Sequence, residues 1–359
     1  MKMLLVSNMY PSKLSPGSGV FVKNFKDSLS SRGVDIDSAV IEGRKGAWIG
    51  KLFEYFRFVL RIYFYIFSRR YDVVYVHYVT HSLFPLLPIL WFKKINLIVN
   101  AHGEDLLPST RLEAFLLKMN RGIIERAKLI VVPSNYFEAI AISLFPRGKI
   151  FVSPSAGVDL NLFCPRSAMR GGEKFVLGYV SRIEEGKGWD TFLLALCDLK
   201  NRFRDIDISA VVAGAGSQLA DFHRMLVELD LCDVVDYIGA VNQDELPCVY
   251  SSCDLFIFPT KLPESLGLVG IEALACGVPA VCSSIGGITT YMVDGVNGYT
   301  FTPGEHSELV EKVIKYIELC SVDKFAMKAS ARKTARDYCH ENVADMIFDK
   351  IKEASVNES

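Results

Sequence analysis

The sequence predicts an α/β protein built from two doubly wound, parallel-sheet domains with a ligand cleft between them. Three observations predict it. Apolar, strand-like runs alternate with helical segments from end to end, the mark of parallel sheets joined by crossover helices. That alternation restarts after a Pro/Arg/Gly-rich stretch, Pro165–Gly172. A chain of 359 residues is also too long for one average domain.

In chain order, Met3–Ser7 reads as a first strand and not as a signal peptide, because polar residues and Pro11 follow at once. Val20–Ser31 reads as a helix closed by Gly33, and Val34–Ile41 as the second strand. The aromatic stretch Lys51–Arg70 falls where a crossover helix belongs. Val73–Phe92 carries no formal charge over about the length of a bilayer span. Pro85, Pro88, His77 and His81 interrupt it, so it reads as a strand, Val73–Tyr78, followed by a buried helix. Asn96–Asn100 and Leu129–Pro133 continue the first series. The second runs through Phe175–Val180, Ile208–Ala213, Val235–Ile238, Leu255–Pro259 and Pro279–Ser283. The expected division is 1–165, 166–338, and a C-terminal helix over 339–359 that packs back on the first domain and frays after Val356. Ligands of such sheets sit beyond the carboxyl ends of the strands.

Half the residues are hydrophobic and the mean hydropathy is +0.24, so large cores are easily filled. Residues 1–165 hold 21 Lys and Arg against 12 Asp and Glu, whereas 166–359 hold 19 against 29. The net charges of +9 and −10 leave −1 overall, and the basic half suits an anionic partner. All nine cysteines lie from Cys164 onward, without a CxxC pair or histidines at zinc spacing. They read as reduced thiols serving as small core residues.

The strongest chemical signal is PTKLPESLGLVGIEALACGVPAV. Glu264 and Glu272 stand eight positions apart, separated by the small-residue loop Ser265–Gly267 and the start of a helix. Open N–H groups at a helix start favour an anion, and carboxylates favour sugar hydroxyls. A nucleotide sugar holds both. In YVSRIEEGKGWD, Arg182 and Lys187 flank Gly186 after the first strand of the second domain. Two cations on a glycine-rich loop can hold a diphosphate and neutralise it as it departs. AGAGSQ resembles part of a dinucleotide fingerprint, but its final glycine and acidic ribose partner are missing, which speaks against an oxidoreductase. Asp35/Asp37 and Asp205/Asp207 form D-x-D pairs beside strand-like residues, and no metal is expected at either.

With these motifs in this order, the chain resembles a retaining glycosyltransferase of family 4 with the GT-B fold, of the bacterial cell-surface polysaccharide type. YPSKLSPGSGVFVKNFKDSLSSRG matches the family's opening loop and helix, NAHGEDL its His-Gly segment and SAGVDLNLF its domain-closing segment. SRIEEGKG, VVAGAGSQL, YIGAV and the Glu264/Glu272 motif match its nucleotide-sugar site. The resemblance implies that Arg182 and Lys187 bind the donor diphosphate and that Glu272 binds the ribose. It implies that Glu264 and the backbone of Ser265, Leu266, Gly267 and Leu268 hold the donor sugar and phosphate. His102 would lie beside the reacting sugar, and Gly19 would let backbone N–H groups approach the phosphate. Gly214, Gly216, Gly239 and Val241 would line the nucleotide pocket. One segment departs from the family: no acidic residue follows Gly286-Gly287, where the chain reads Ile288-Thr289-Thr290.

The implied reaction is metal-independent, cofactor-free transfer of a sugar from a UDP- or GDP-sugar to an acceptor hydroxyl, with retention. A nucleotide-sugar epimerase of the same fold and a non-catalytic sugar-nucleotide-binding protein are the alternatives. Acceptor choice falls to the basic first domain. On a helical wheel Lys51, Glu54, Arg57 and Arg61 occupy one side of the Lys51–Arg70 helix, with Phe58 and Tyr65 intruding there. The opposite arc, from Ile62 and Tyr55 through Leu52, Phe56 and Phe53 to Phe64, is apolar over roughly 200°. A crossover helix needs only about 100°. The excess is either buried under neighbouring loops or dips into a bilayer interface. Arg44, Lys45, Arg69 and Arg70 around it suit anionic lipid. The expected partners are a nucleotide diphosphate sugar, a lipid-linked or glycan acceptor and an anionic membrane surface, with no nucleic acid. The expected location is cytoplasmic, peripheral on the inner face of the cell membrane.

Overall fold

A computed structural model describes residues 1–12, 18–42, 48–154, 157–166, 174–202 and 206–355. Lys13–Gly17 of the opening loop, Arg44, Lys45, Ser155, Ala156, most of the Pro165–Gly172 stretch, Asp205 and the tail after Ser355 lie outside them. The chain divides into two compact units, Met1–Ala156 with Glu341–Ser359, and Gly157–His340. Gly157–Pro165 thus goes with the second unit, where Val158 and Phe163 are buried in the core.

The first unit runs β1 (Lys2–Tyr10), α1 (Val20–Ser31), β2 (Asp35–Glu42), α2 (Trp48–Ser68), β3 (Val73–His77), α3 (Leu87–Phe92), β4 (Leu97–Asn100), α4 (Arg111–Ile124), β5 (Leu129–Val132), α5 (Asn135–Leu144) and β6 (Ile150–Val152). The second runs β7 (Phe175–Val180), α6 (Trp189–Arg202), β8 (Ile208–Ala213), α7 (Leu219–Glu228), β9 (Val235–Gly239), α8 (Leu246–Ser251), β10 (Leu255–Phe258), α9 (Leu268–Ala275), β11 (Ala280–Ser283), β12 (Gly298–Phe301), α10 (His306–Ile317) and α11 (Ser321–Asp337). The chain then returns to the first unit as α12 (His340–Ser355).

Each unit holds a six-stranded parallel sheet, in the orders β2-β1-β3-β4-β5-β6 and β12-β11-β10-β7-β8-β9. The strands are apolar on both faces because helices cover both. In β1, Leu4 and Val6 enter one core while Met3 and Leu5 enter the other. In β10, Leu255 and Ile257 oppose Phe256 and Phe258 in the same way. In each sheet the connections reverse direction at the first strand of the unit, between β1 and β3 and between β7 and β10. Such switch points are where open α/β sheets bind ligands.

Two sequence expectations change here. Leu87–Phe92 is a helix, but it is not buried throughout: Ile89 faces the core, while Trp91 and Phe92 are 82% and 86% exposed. The α2 wheel also turns. Phe58, Ile62 and Ile66 face the core, so the buried stripe borders the charged side, where Arg61 donates to the Val40 carbonyl. Phe53, Phe56, Leu60, Phe64 and Phe67 lie exposed on nearly the opposite side of the helix, at about 100° per residue. No helix among the described residues is long and apolar enough to cross a membrane. Strands β6 and β12 go unread in the sequence because Ile150–Val152 and Gly298–Phe301 are short edge strands with little periodicity.

Candidate functional site

In the second unit, the loops at the carboxyl ends of β7, β8, β10 and β11 converge at the switch point. Backbone bonds join them: Lys261 N–H to the Gly186 carbonyl at 2.7 Å, Ile183 to Ala215 at 3.1 Å and Gly287 to Glu264 at 2.8 Å. Gly214 and Gly216 belong to the β8 loop, and a side chain on Gly214 would run into the Ser181 carbonyl of the β7 loop. Gly239 ends β9 and accepts from the Gly214 N–H at 2.7 Å; Val241 packs partly buried beyond it.

Lys187 Nζ donates to Glu264 Oε1 at 2.7 Å, bringing together the two strongest sequence signals. Both side chains are mostly buried, and Thr260 Oγ1 adds a second bond to the same oxygen at 3.1 Å. Arg182 is exposed and ion-paired instead with Glu184 of its own loop at 2.7 Å. Beyond Glu264, Leu266 is buried and Gly267 takes the left-handed conformation (φ 80°) as the N-cap of α9. Leu268 opens that helix, so the first N–H groups of α9 lie directly after the Glu264 loop. Tyr291 holds this turn by donating to the Gly267 carbonyl at 3.0 Å. Gly286 and Gly287 pack on the backbone of Glu264–Leu266, which gives the Gly-Gly pair a role in closing the loop.

Glu272 sits on the second turn of α9, 9% exposed. Its Oε2 accepts from Tyr250 at 2.8 Å. Burial pushes its carboxyl up to about 7, with the Tyr250 bond pulling the other way.

In the first unit, Gly19 is the left-handed N-cap of α1 (φ 70°), with backbone of Met9 and Tyr10 too close for any side chain. His102 follows β4, and its Nε2 lies 2.9 Å from Nδ1 of His77, the last residue of β3. The two rings stack at 5.1 Å, with Phe21 of α1 at 4.6 Å from His102. Burial holds His77 well below the usual imidazole range and His102 down at about 3. The pair is therefore neutral at physiological pH. Asp105 fixes the loop by accepting from the backbone N–H of Val79 and His102, at 2.8 Å each. Burial raises its carboxyl to about 6.

Sequence reasoning passed over His77, Asp105, Thr260, Tyr250 and Tyr291. His77 closes a strand and Asp105 follows the His-Gly pair, which were usable signals. The other three act across 4, 22 and 24 residues, where no local pattern points to the partner. Asp35 and Asp37 are engaged with Lys2, Arg69 and Tyr71, a charge cluster on β2. Among the described residues no three His, Cys, Asp or Glu side chains converge as metal ligands. Cys253, Cys276 and Cys282 are core residues, but Cys232, Cys248 and Cys320 are exposed, so only part of the cysteine set fills the interior.

Residues 17–162 match the family model described as Glycosyltransferase Family 4, and residues 166–336 the model described as Glycosyl transferases group 1. Among curated relatives, a D-inositol 3-phosphate glycosyltransferase of Paenarthrobacter aurescens is 30% identical over 64% of this chain and 60% of its own length. A GDP-mannose-dependent alpha-(1-6)-phosphatidylinositol monomannoside mannosyltransferase of Mycolicibacterium smegmatis is 29% identical over 56% of each. The alignments thus span little more than half the length of these relatives. Among solved structures, sucrose-phosphate synthase from Thermosynechococcus elongatus matches with a TM-score of 0.80 at 17% identity, covering 98% of both chains. HepE of Anabaena, solved with UDP and glucose, matches with a TM-score of 0.74 at 20% identity, covering 98% of this chain and all of its own. With one family model on each sheet and both sheets wound as in these structures, the chain belongs to the glycosyltransferases of family 4, with the GT-B fold.

Proposed function

We propose that the protein transfers a sugar, with retention, from a nucleotide diphosphate sugar to a hydroxyl of a lipid-linked glycan at an anionic membrane surface, in the synthesis of a cell-surface polysaccharide. The observation that carries the reading is the Lys187–Glu264 pair, lodged at a switch point beside the N–H groups that open α9. Lys187 supplies the cation for a diphosphate, α9 supplies N–H donors, and Glu264 supplies an acceptor for sugar hydroxyls. Glu272 Oε1, opposite the oxygen taken by Tyr250, accepts from the ribose diol. Gly214, Gly216, Gly239 and Val241 line the base and ribose pocket. Arg182 leaves Glu184 for the diphosphate when donor binds, and His102 packs as a neutral ring beside the sugar. HepE, solved with UDP and glucose, supports a nucleotide-sugar donor, and the relative named for phosphatidylinositol monomannoside supports a lipid-borne acceptor.

In the reaction, the bond from the anomeric carbon to the acceptor oxygen forms as the bond to the diphosphate oxygen breaks. The nucleoside diphosphate leaves with the electron pair. An attack from the face of departure retains the anomeric configuration, and the leaving oxygen takes the acceptor's proton. The protein contributes position and preorganised charge, with no metal. The exposed stripe of α2 rests in the interface of the inner leaflet, held by Arg57, Arg69 and Arg70.

A panel of UDP- and GDP-sugars incubated with the protein, with products separated and weighed, tests the reading. Slow hydrolysis of one donor, accelerated when an acceptor glycolipid is supplied, is the expected result. Isomerisation of the donor would assign an epimerase, and a bound but unchanged donor a binding protein.

A further inference from the structure

The amino edge of the first sheet carries a feature that sugar transfer does not use. A cavity of about 840 Å³ opens at the starts of β3, β4 and β5, where Val74, Leu97 and Lys128 line it. His77 and His102 lie at the opposite, carboxyl edge, a strand length of about 15 Å away. Six cations line the cavity: Arg69, Arg70, Lys93, Lys94, Arg126 and Lys128. No carboxylate does. Arg69 Nη1 donates to both oxygens of Asp37 at 2.7 Å, so its charge is largely answered there, and Lys93 donates to the Ile66 carbonyl. Arg70, Lys94 and Arg126 are exposed.

Cations gathered in a concave wall repel one another and concentrate a counter-anion. The volume is that of a site for a bound small group rather than a flat stripe for a polymer. The rim is apolar. Trp91 lines the cavity, Phe92 follows it, and both are more than four-fifths exposed; Phe67 stands 65% exposed beneath Lys93. Tryptophan on an exposed edge beside clustered cations is the composition of a membrane interface. The exposed stripe of α2 ends beside this rim at Phe67, beneath Lys93.

We infer that this cavity is a headgroup site for a phosphomonoester lipid, the phosphate held by Lys94, Arg126 and Arg70 and the acyl region meeting Trp91 and Phe92. A phosphomonoester carries close to two charges at neutral pH, against one for a phosphodiester, and the cations lining this cavity beside the paired Arg69 reward that difference. The inference rests on the membrane-surface reading given above, and adds to it a choice among lipids.

The test uses the full chain and flotation with phosphatidylcholine vesicles containing either phosphatidic acid or phosphatidylglycerol, matched for surface charge. The expected result is tighter binding to phosphatidic acid. The double variant Lys94→Ala/Arg126→Ala weakens that binding about thirtyfold, the effect of two cations at an anionic surface, and abolishes the preference. Arg147→Ala/Lys149→Ala removes the same charge near the start of β6 on the same edge, outside the cavity, and leaves the preference intact. Circular dichroism confirms the fold of each variant. Equal binding to both lipids, or equal weakening by both double variants, would overturn the headgroup site while leaving the membrane surface standing. Absence of binding by the unaltered chain to any vesicle would overturn both. Binding of soluble glycerol phosphate as tight as that of the vesicles, read by calorimetry, would assign the cavity to a soluble metabolite instead.

Discussion

Lys187 and Glu264 depend on each other for their charge balance. Each is mostly buried, so removing one leaves the other charged and unpaired, a costly state. Lys187→Ala is therefore expected to lower turnover at saturating donor by about a hundredfold or more, the usual loss for one preorganised charge. Lys187→Ala/Glu264→Gln recovers thermal stability lost by the single variant without recovering turnover; turnover near normal in Lys187→Ala would remove the diphosphate assignment. Glu272 gives a pH signature. Its folded carboxyl titrates near 7 against an ordinary 4.5, so the native state takes up the proton first. Its contribution to stability rises as pH falls from about 7 toward 4.5, whereas the carboxylate proposed to accept from the ribose diol is lost over the same range. Donor KM is expected to climb about tenfold per pH unit below 7, and in Glu272→Gln to become flat with pH at a value raised about tenfold to a hundredfold. A wild-type KM independent of pH from 8 to 5.5 would count against Glu272 as a donor contact. Lys187 and Glu264 stood out in the sequence because their loops are dense in glycine and charge, and Glu272 because it follows on the helix that the second loop opens. Tyr250 did not, since a tyrosine in a short helix looks like core.

At the level of elements, the strands were legible where they are buried on both faces and end in glycine, proline or polar residues, as in β3, β7 and β10. Their partners in the sheet were not, because parallel pairing joins segments far apart in sequence. Helix α2 is the instructive case. Its apolar width was plain, but which part faced the core was not, because aromatics occupy nearly every side and packing alone chose Phe58, Ile62 and Ile66. The two apolar stripes make opposite predictions. Phe58→Ala is expected to cost about 3–5 kcal/mol, read by denaturant unfolding, because it empties a packed site. Phe56→Ser/Leu60→Ser/Phe64→Ser is expected to leave stability within about 1 kcal/mol, since exposed positions contribute little. The same triple variant loses binding to anionic vesicles, and binding retained at wild-type strength would show that the stripe serves something other than a membrane.

For the whole molecule, charge is divided along the chain: residues 1–165 carry a net +9 and residues 166–359 a net −10. The two-unit pattern was legible from the restart of strand alternation, and the return of the C-terminal helix to the first unit was expected too; which of its residues pack there rests on tertiary contacts. Ile347 and Ile351 are buried with Met3, Leu5, Val22 and Val73, and Asp345 pairs with Arg32 at 2.6 Å. Each isoleucine is worth about 2–5 kcal/mol against alanine, and together they approach the stability of an entire domain. A chain stopped after His340 is therefore expected to melt its first unit at much lower temperature while the second keeps its transition, resolved by hydrogen exchange. Because residues 157–340 form a continuous unit and the first unit does not, order of synthesis and order of completion differ. On the ribosome the second unit can close as soon as it emerges, while the first waits with Met3, Leu5 and Val73 uncovered until the final helix is made. The half of the protein that is translated first is the half that finishes folding last.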